Sequence, residues 1–348
     1  MKVIIDDKIP YIREALSIMG VEAQYVEGGK ITSDTVRDAD ALIVRTRTRC
    51  DAALLEGSRV QFIATATIGY DHIDVAYCES HGIHWTNAPG CNAASVRQYI
   101  QSVLLLLQKE RGLTLSEATL GVVGVGHVGS LVVEMARSWG MRVLACDPLR
   151  AERGEEGFVS LGTIAREADV ITLHTPLTQE GPHATYHLAN KAFFDSLLRK
   201  PYFINTSRGE TTDTTALRQA LEEGKISQCV IDVWEHEPNI NLDLLDRCYL
   251  GTPHIAGYSA DGKANATRMS LEALSRYFGL GDVPEILLPP PVQAINRGAD
   301  RAEALLDIYN PHTDSQALKA TPMLFEYLRG HYPLRREEQA YSLCEIKR

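Results

Sequence analysis

Short apolar runs alternate with longer, mixed stretches along most of this chain. In the first third, the runs at 3–5, 41–44 and 62–64 read as buried strands, because aliphatic residues follow one another there without polar interruption. Between and after them, 11–19, 52–57 and 75–81 space their apolar residues as helices do. A second series predicts strands at 121–125, 142–146, 170–174, 202–205, 228–232 and 249–251, with helices starting near Ser130, Ser160, Lys191 and Thr214. Such alternation requires crossover connections, so both series predict parallel sheets. Longer helices over 94–108 and 262–279 would join the two domains by two crossings, with a ligand expected in the cleft between them. The run Leu287-Leu-Pro-Pro-Pro291 marks a further boundary. Beyond it, helices are predicted over 300–309 and 315–329 in a tail too short to hold much core of its own.

Composition narrows the class. Apolar residues make up 45% of the 348 and charged residues 23%, an ordinary globular balance. A net charge of −10 without a basic stripe argues against nucleic acid as a partner. The start, Met1-Lys-Val-Ile-Ile-Asp6, lacks the apolar core of a signal peptide, and the aliphatic cluster at 103–107 is far too short to span a bilayer. No membrane partner is expected. Seven cysteines without a C-x-x-C pair suit a reduced, cytoplasmic setting. His72, His81 and His84 match no metal-ligand spacing, so no metal is expected.

The segment Gly121-Val-Val-Gly124-Val-Gly126-His-Val-Gly129 spells G-x-G-x-x-G between a predicted strand and a predicted helix. Glycines there permit a tight turn and let the backbone approach a pyrophosphate, which free N–H groups at the helix start stabilise. The next strand, Arg142-Val-Leu-Ala-Cys146, runs into Asp147. A carboxylate at that place accepts hydrogen bonds from ribose hydroxyls and repels a 2′-phosphate, which favours NAD over NADP. Arg150 would work the other way, and Asp147 also has a reading as a turn residue before Pro148.

Three later segments fall where strands of the second series should end. They are Ile204-Asn-Thr-Ser-Arg208-Gly209, Val230-Ile-Asp232-Val-Trp-Glu235-His-Glu237-Pro238 and Thr252-Pro-His254-Ile-Ala-Gly257-Tyr258. Together they supply a guanidinium, carboxylates and an imidazole. Oxidation of a 2-hydroxy acid needs that set. An arginine fixes the substrate carboxylate, a histidine takes the alcohol proton, and a carboxylate orients the histidine.

These segments resemble the three signatures of the D-isomer-specific 2-hydroxyacid dehydrogenases. The resemblance implies an α/β fold with two doubly wound parallel-sheet domains. One is a flavodoxin-like substrate domain (1–93 and 258–286) and the other a Rossmann NAD domain (94–257). A small C-terminal α+β dimerisation domain (287–348) would follow. It also implies that Arg208 binds the substrate carboxylate, His254 is the acid/base and Glu237 its partner. NAD would be held by Gly124, Gly126, His127, Val128, Gly129, Asp147, Thr175, Thr206, Ser207, Asp232 and Gly257.

Further likeness runs through Thr65-Ala-Thr67-Ile-Gly69-Tyr-Asp71-His72, Ala88-Pro-Gly90-Cys91-Asn92-Ala93 and the tail's Tyr309-Asn-Pro, Leu328-Arg and Tyr332-Pro-Leu-Arg335. It is similar to one branch of the family, and implies a small phosphorylated hydroxy acid as substrate and a homodimer formed through the tail. By position, Thr46, Thr67 and Tyr258 would bind substrate. Arg45, Arg47 and Arg49 alternate, so on a strand they share a face. A substrate phosphate or a solvated edge with surface ion pairs would each account for them, and Arg45 is carried as a substrate candidate. The chain departs from the branch at Thr46, where serine is usual, at Ile68 and Tyr70, where smaller residues are usual, and at Thr211-Thr212 in place of an aliphatic pair. Two other readings stand beside this one: the same chemistry on another acid such as 3-phosphoglycerate, and an NAD-binding regulatory protein of the same fold.

Overall fold

The computed structural model describes residues 1–292, 295–296 and 300–341. The chain divides into two compact units, Met1–Asn92 with Ser259–Pro290, and Ala93–Tyr258 with Pro291–Arg348.

The first unit holds β1 (Lys2–Asp6), β2 (Glu22–Val26), β3 (Ala41–Val44), β4 (Phe62–Thr65) and β5 (His84–Thr86), all parallel, in the order β2-β1-β3-β4-β5. That is the flavodoxin-like order. Side chains alternate across this sheet. Ile4, Leu42 and Ile63 enter one core, while Val3, Ile5, Ala41, Ile43 and Phe62 enter the other. Burial on both faces is why the central strands read as unbroken apolar runs. The edge strands β2 and β5 do not read that way, because half of each faces solvent.

The second unit holds β6 (Thr119–Val123), β7 (Arg142–Cys146), β8 (Val170–Leu173), β9 (Tyr202–Asn205), β10 (Gln228–Ile231) and β11 (Leu250–Gly251), also parallel, in the order β11-β10-β9-β8-β6-β7. A lone parallel bridge between Ala145 and Phe158 lies outside β7, closed by Val159 N–H on Ala145 O at 2.8 Å. It stands where the outermost strand of the usual dinucleotide sheet runs. The order reverses between β6 and β8, and the loops at that switch point are the expected place for a ligand.

The helix Ala93–Arg111 is buried nearly all round its first four turns, from Ala93 to Leu107. One side packs on the sheet through the cluster that includes Val103, Leu120, Val122 and Ile204. Its other side receives the tail, whose Leu305, Ile308 and Tyr309 join the same cluster. Ser102 donates to Tyr309 O at 2.8 Å, and Ser95 to Glu337 Oε1 at 2.7 Å. Leu318 and Phe325 join the core on the opposite face of the sheet. The tail is thus continuous with both cores of the second unit.

The single helix predicted over 315–329 is two, Pro311–Ala320 and Phe325–Gly330. Pro322 has no N–H to donate and pushes Thr321 out of helical geometry, to φ −142° and ψ 66°. Of the α+β character expected for this tail, the described residues carry the helices.

Candidate active site

The glycine turn follows β6. Gly124 takes φ 85°, and its N–H is bonded to Cys146 O at 2.8 Å. A Cβ on Gly124 would lie 2.8 Å from the His174 carbonyl, and one on Gly129 2.0 Å from Gly124 O. Those two glycines allow close packing. A Cβ on Gly126 would meet nothing within 4 Å, so this glycine faces open space. The helix His127–Ser138 starts directly after Gly126, earlier than the predicted Ser130, and so brings its first free N–H groups to the turn. Gly126 and His127 are exposed, whereas Val128 packs on the core.

Asp147 takes the turn-capping role that its sequence position suggested and also braces the glycine turn. Its Oδ2 accepts from Val125 N at 2.9 Å, inside the glycine turn, and its Oδ1 from Arg150 N at 3.1 Å, capping Pro148–Glu152. Each oxygen keeps a lone pair for a further donor. The charge of Arg150 is turned to Glu155, which accepts from its Nε at 2.7 Å, and Arg150 Nη1 donates to Val125 O at 2.8 Å. At the end of β8, Thr175 Oγ1 is buried without a hydrogen-bond partner. Such an orphan is costly unless a ligand satisfies it. The free helix start, the bare Gly126, the carboxylate after β7 and this orphaned hydroxyl together fit a dinucleotide.

After β9, Asn205 organises the loop. Its Nδ2 donates to Arg208 O, Thr211 Oγ1 and Thr212 Oγ1 at 3.0–3.1 Å, and its Oδ1 accepts from Ser207 N and Oγ. The threonine pair is therefore a hydrogen-bonding device for the loop that carries Arg208. The Arg208 Nη1 donates to Ser207 O at 2.8 Å, and among the described residues no carboxylate forms an ion pair with it. A half-buried guanidinium in that state suits an incoming anion. Gly209 abuts the next loop so closely that a Cβ would lie 2.0 Å from the Trp234 carbonyl carbon. The Arg208 loop and the Glu237 loop are locked together there. Thr206 reaches His174 Nδ1 at 3.4 Å.

The loops after β10 and β11 carry the other candidates. Asp232 is 1% exposed, and its oxygens accept from Thr252 Oγ1 at 2.6 Å, Ile255 N at 2.8 Å and Ala256 N at 3.0 Å. Tyr99 completes the chain by hydrogen bonding to Thr252 at 2.8 Å. Burial raises the Asp232 pKa against the pull of His254 and these donors. The segment pinned in this way presents His254, which sits at φ 55°, a left-handed conformation unusual for histidine. Its Nδ1 lies 2.8 Å from Glu237 Oε2. Glu237 Oε1 accepts from Trp234 N at 2.9 Å. Burial alone would raise the Glu237 pKa, but the hydrogen bond and charge of His254, the Trp234 N–H and Arg329 outweigh it and hold the carboxyl below its usual range. An ionised Glu237 facing Nδ1 favours the tautomer with its proton there, leaving Nε2 as the basic nitrogen. Gly257 and Tyr258 follow on the same loop, half-buried.

The first unit carries the remaining candidates beyond β3 and β4. Arg45 Nη1 donates to Lys8 O at 3.2 Å, Thr46 and Arg47 are exposed, and Arg49 pairs with Asp51 at 2.9 Å. Thr67 donates to Gly69 O at 2.8 Å and is hydrogen bonded to Thr65, which in turn meets His72 Nε2 at 2.9 Å. With its proton engaged, the Thr67 hydroxyl offers a lone pair.

Comparison with known proteins gives the family. Residues 94–256 match the family "D-isomer specific 2-hydroxyacid dehydrogenase, NAD binding domain". The erythronate-4-phosphate dehydrogenase of Bacteroides thetaiotaomicron is 58% identical over 348 residues, covering all of both chains. The chain belongs to the erythronate-4-phosphate dehydrogenase branch of the D-isomer-specific 2-hydroxyacid dehydrogenases. It is an NAD-dependent oxidoreductase of that family. Among solved structures, a D-lactate dehydrogenase from Aquifex aeolicus complexed with NAD and lactic acid matches with a TM-score of 0.64 at 27% identity, over 80% of this chain and 96% of that one. An NAD-bound 3-phosphoglycerate dehydrogenase from Entamoeba histolytica matches with a TM-score of 0.67 at 27% identity, over 83% and 99%.

In this 2-hydroxyacid dehydrogenase, the tail brings two arginines against the candidate loops that the motifs did not reveal. Arg329 donates from Nε to the Tyr258 hydroxyl at 3.0 Å. Arg335, 2% exposed, donates from Nη2 to Ala256 O at 2.6 Å and stacks 4.3 Å from the Tyr309 ring centroid. Both lie in the tail segments Leu328-Arg and Tyr332-Pro-Leu-Arg335, which carried the branch likeness and pointed only to dimerisation.

Proposed function

We propose that this dehydrogenase oxidises 4-phospho-D-erythronate to (R)-3-hydroxy-2-oxo-4-phosphooxybutanoate, on the route to pyridoxal 5′-phosphate. The observation that carries the reading is the His254–Glu237 pair at 2.8 Å, in the unit whose Arg208 has no carboxylate partner among the described residues, together with full-length similarity to enzymes of that name.

Arg208 holds the substrate carboxylate through its free N–H groups. His254 Nε2 accepts the proton of the C2 hydroxyl, and the charge that forms on the imidazole is stabilised at Nδ1 by Glu237. NAD, when bound, accepts the C2 hydrogen as hydride. Gly124, Gly126, His127, Val128 and Gly129 would receive its pyrophosphate, Asp147 a ribose, and Thr175, Thr206, Ser207, Asp232 and Gly257 would line its remaining length. Thr46, Thr67, Tyr258 and Arg45 would bind the rest of the substrate. The chain would work in the cytoplasm as a homodimer held by its tails. Support for the dimer comes from Met323, Leu324 and Tyr327, which are 91%, 42% and 57% exposed on the tail. Among the described residues, no helix is long and apolar enough to cross a membrane.

The test mixes the purified protein with NAD and 4-phospho-D-erythronate and follows NADH, beside 3-phosphoglycerate and D-lactate. A second series adds a 2-oxo acid acceptor. Selective reduction with 4-phospho-D-erythronate is expected, and His254→Gln should lower turnover by roughly 100-fold or more with NAD affinity kept. Equal activity on another acid would discard the substrate. No reduction with any acid despite NAD binding would favour a regulatory protein.

A further inference from the structure

The tail helix Phe325–Gly330 returns one side chain to the candidate active site of its own chain. Arg329 Nε donates to the Tyr258 hydroxyl at 3.0 Å. Its Nη1 lies 3.9 Å from Glu237 Oε2, the same oxygen that holds His254 Nδ1. Its other carboxylate neighbour is Glu326, at 3.8 Å. Tyr258 is steadied on its other side by the Tyr332 ring, edge-on at 6.0 Å. One guanidinium therefore touches a residue assigned to substrate and the residue that orients the base. Taking an arginine partly out of water costs free energy, and here that cost is offset at these two groups and Glu326.

We propose that Arg329 is a positioning residue of the dehydrogenase reaction, fixing the Tyr258 phenol and setting the charge around the Glu237–His254 pair. The proposal rests on His254 being the base and Tyr258 a substrate residue. Among the described residues, Asp232 from the loop after β10 faces His254 and Arg329 from the tail helix faces Glu237, while Glu326 and the Tyr258 phenol face Arg329. Of these only Arg329 is cationic. Its charge favours an ionised Glu237. Without it, Glu237 takes up its proton at a higher pH and no longer holds the imidazole charge, so hydroxy-acid oxidation fails at a higher pH.

Three variants separate the two roles: Arg329→Gln, Arg329→Lys and Tyr258→Phe. The readouts are KM and the pH profile of kcat/KM in the oxidation direction, on whichever 2-hydroxy acid the wild type oxidises best, with melting temperature and NAD affinity as folding controls. Arg329→Gln should raise KM about tenfold and move the acid limb up by about half a pH unit or more. Tyr258→Phe should raise KM and leave the limb in place. Arg329→Lys keeps the charge, so the limb should return toward wild type while KM stays raised. A folded Arg329→Gln with unmoved KM and limb overturns the proposal. So does a loss of activity that follows melting temperature alone. If the wild type oxidises no acid, the functional reading fails, and the charge effect is then read by NMR titration of the Glu237 carboxyl. An upward shift in Arg329→Gln supports the placement of charge, and no shift overturns it.

Discussion

Two histidines stand just beyond strand ends in the second unit, and their surroundings give them opposite roles. His254 faces a carboxylate. Among the described residues, His174, after β8, is hydrogen bonded only to the hydroxyls of Thr172 at 3.1 Å and Thr206 at 3.4 Å. Burial without a counter-charge lowers its pKa to about 3. The unfolded chain takes up a proton there near pH 6.5 while the folded chain does not. Stability is therefore whole above about pH 6.5 and is lost as pH falls below it, by roughly 1 kcal/mol per pH unit until the folded pKa is approached. Urea midpoints at pH 7.5 and 5.5 should fall for the wild type and fall less for His174→Asn. Equal falls would mean that His174 is not held neutral. The sequence named His174 only as a neighbour of Thr175, since a neutral histidine under two hydroxyls leaves no spacing pattern. The segments that carry Arg208, Glu237 and His254 were legible because each follows a strand in a motif of fixed composition.

Elements were read well where both faces of a strand are buried. β1, β3, β4 and the strands of the second sheet announced themselves as apolar runs. β2 and β5 went unread because Glu22-Ala-Gln-Tyr-Val26 and His84-Trp-Thr86 are edge strands with solvent on one side. The glycine turn was readable as a motif, but its glycines differ in a way that only packing reveals. Gly126→Ala, at φ −81° and with open space around the new Cβ, should melt like the wild type yet bind NAD about tenfold or more weakly. Gly129→Ala and Gly209→Ala would each place a Cβ 2.0 Å from backbone and should cost about 1–3 kcal/mol or more of stability. Thermal melts with NAD titration check the three together. A Gly126→Ala protein that binds NAD normally would remove this turn from the cofactor site.

At the scale of the molecule, the tail does two things at once. Leu305, Ile308 and Tyr309 complete one core of the second unit, and Leu318 and Phe325 the other. On its outer side, Met323, Leu324 and Tyr327 are exposed within about one helical turn. Light scattering on the eluting protein should give the mass of a dimer, and Met323→Asp with Tyr327→Glu should shift it toward the monomer. A wild-type monomer at micromolar concentration would reject the tail as a dimer contact. The tail's helices were legible from periodicity. Its reach into the site was not, because the Tyr258–Arg329 bond joins residues 71 apart with nothing between them to signal the contact.

Ala256 shows what this arrangement does to motion. Its N–H is held by Asp232 and its carbonyl by Arg335, one from the interior of the sheet and the other from the tail. Swinging that residue outward would take a partner from a buried carboxylate and from a buried guanidinium together. Binding loops usually come from the part of a protein that breathes most easily. Here the segment bearing the proposed base is clamped from two directions, so its opening is tied to release of the tail.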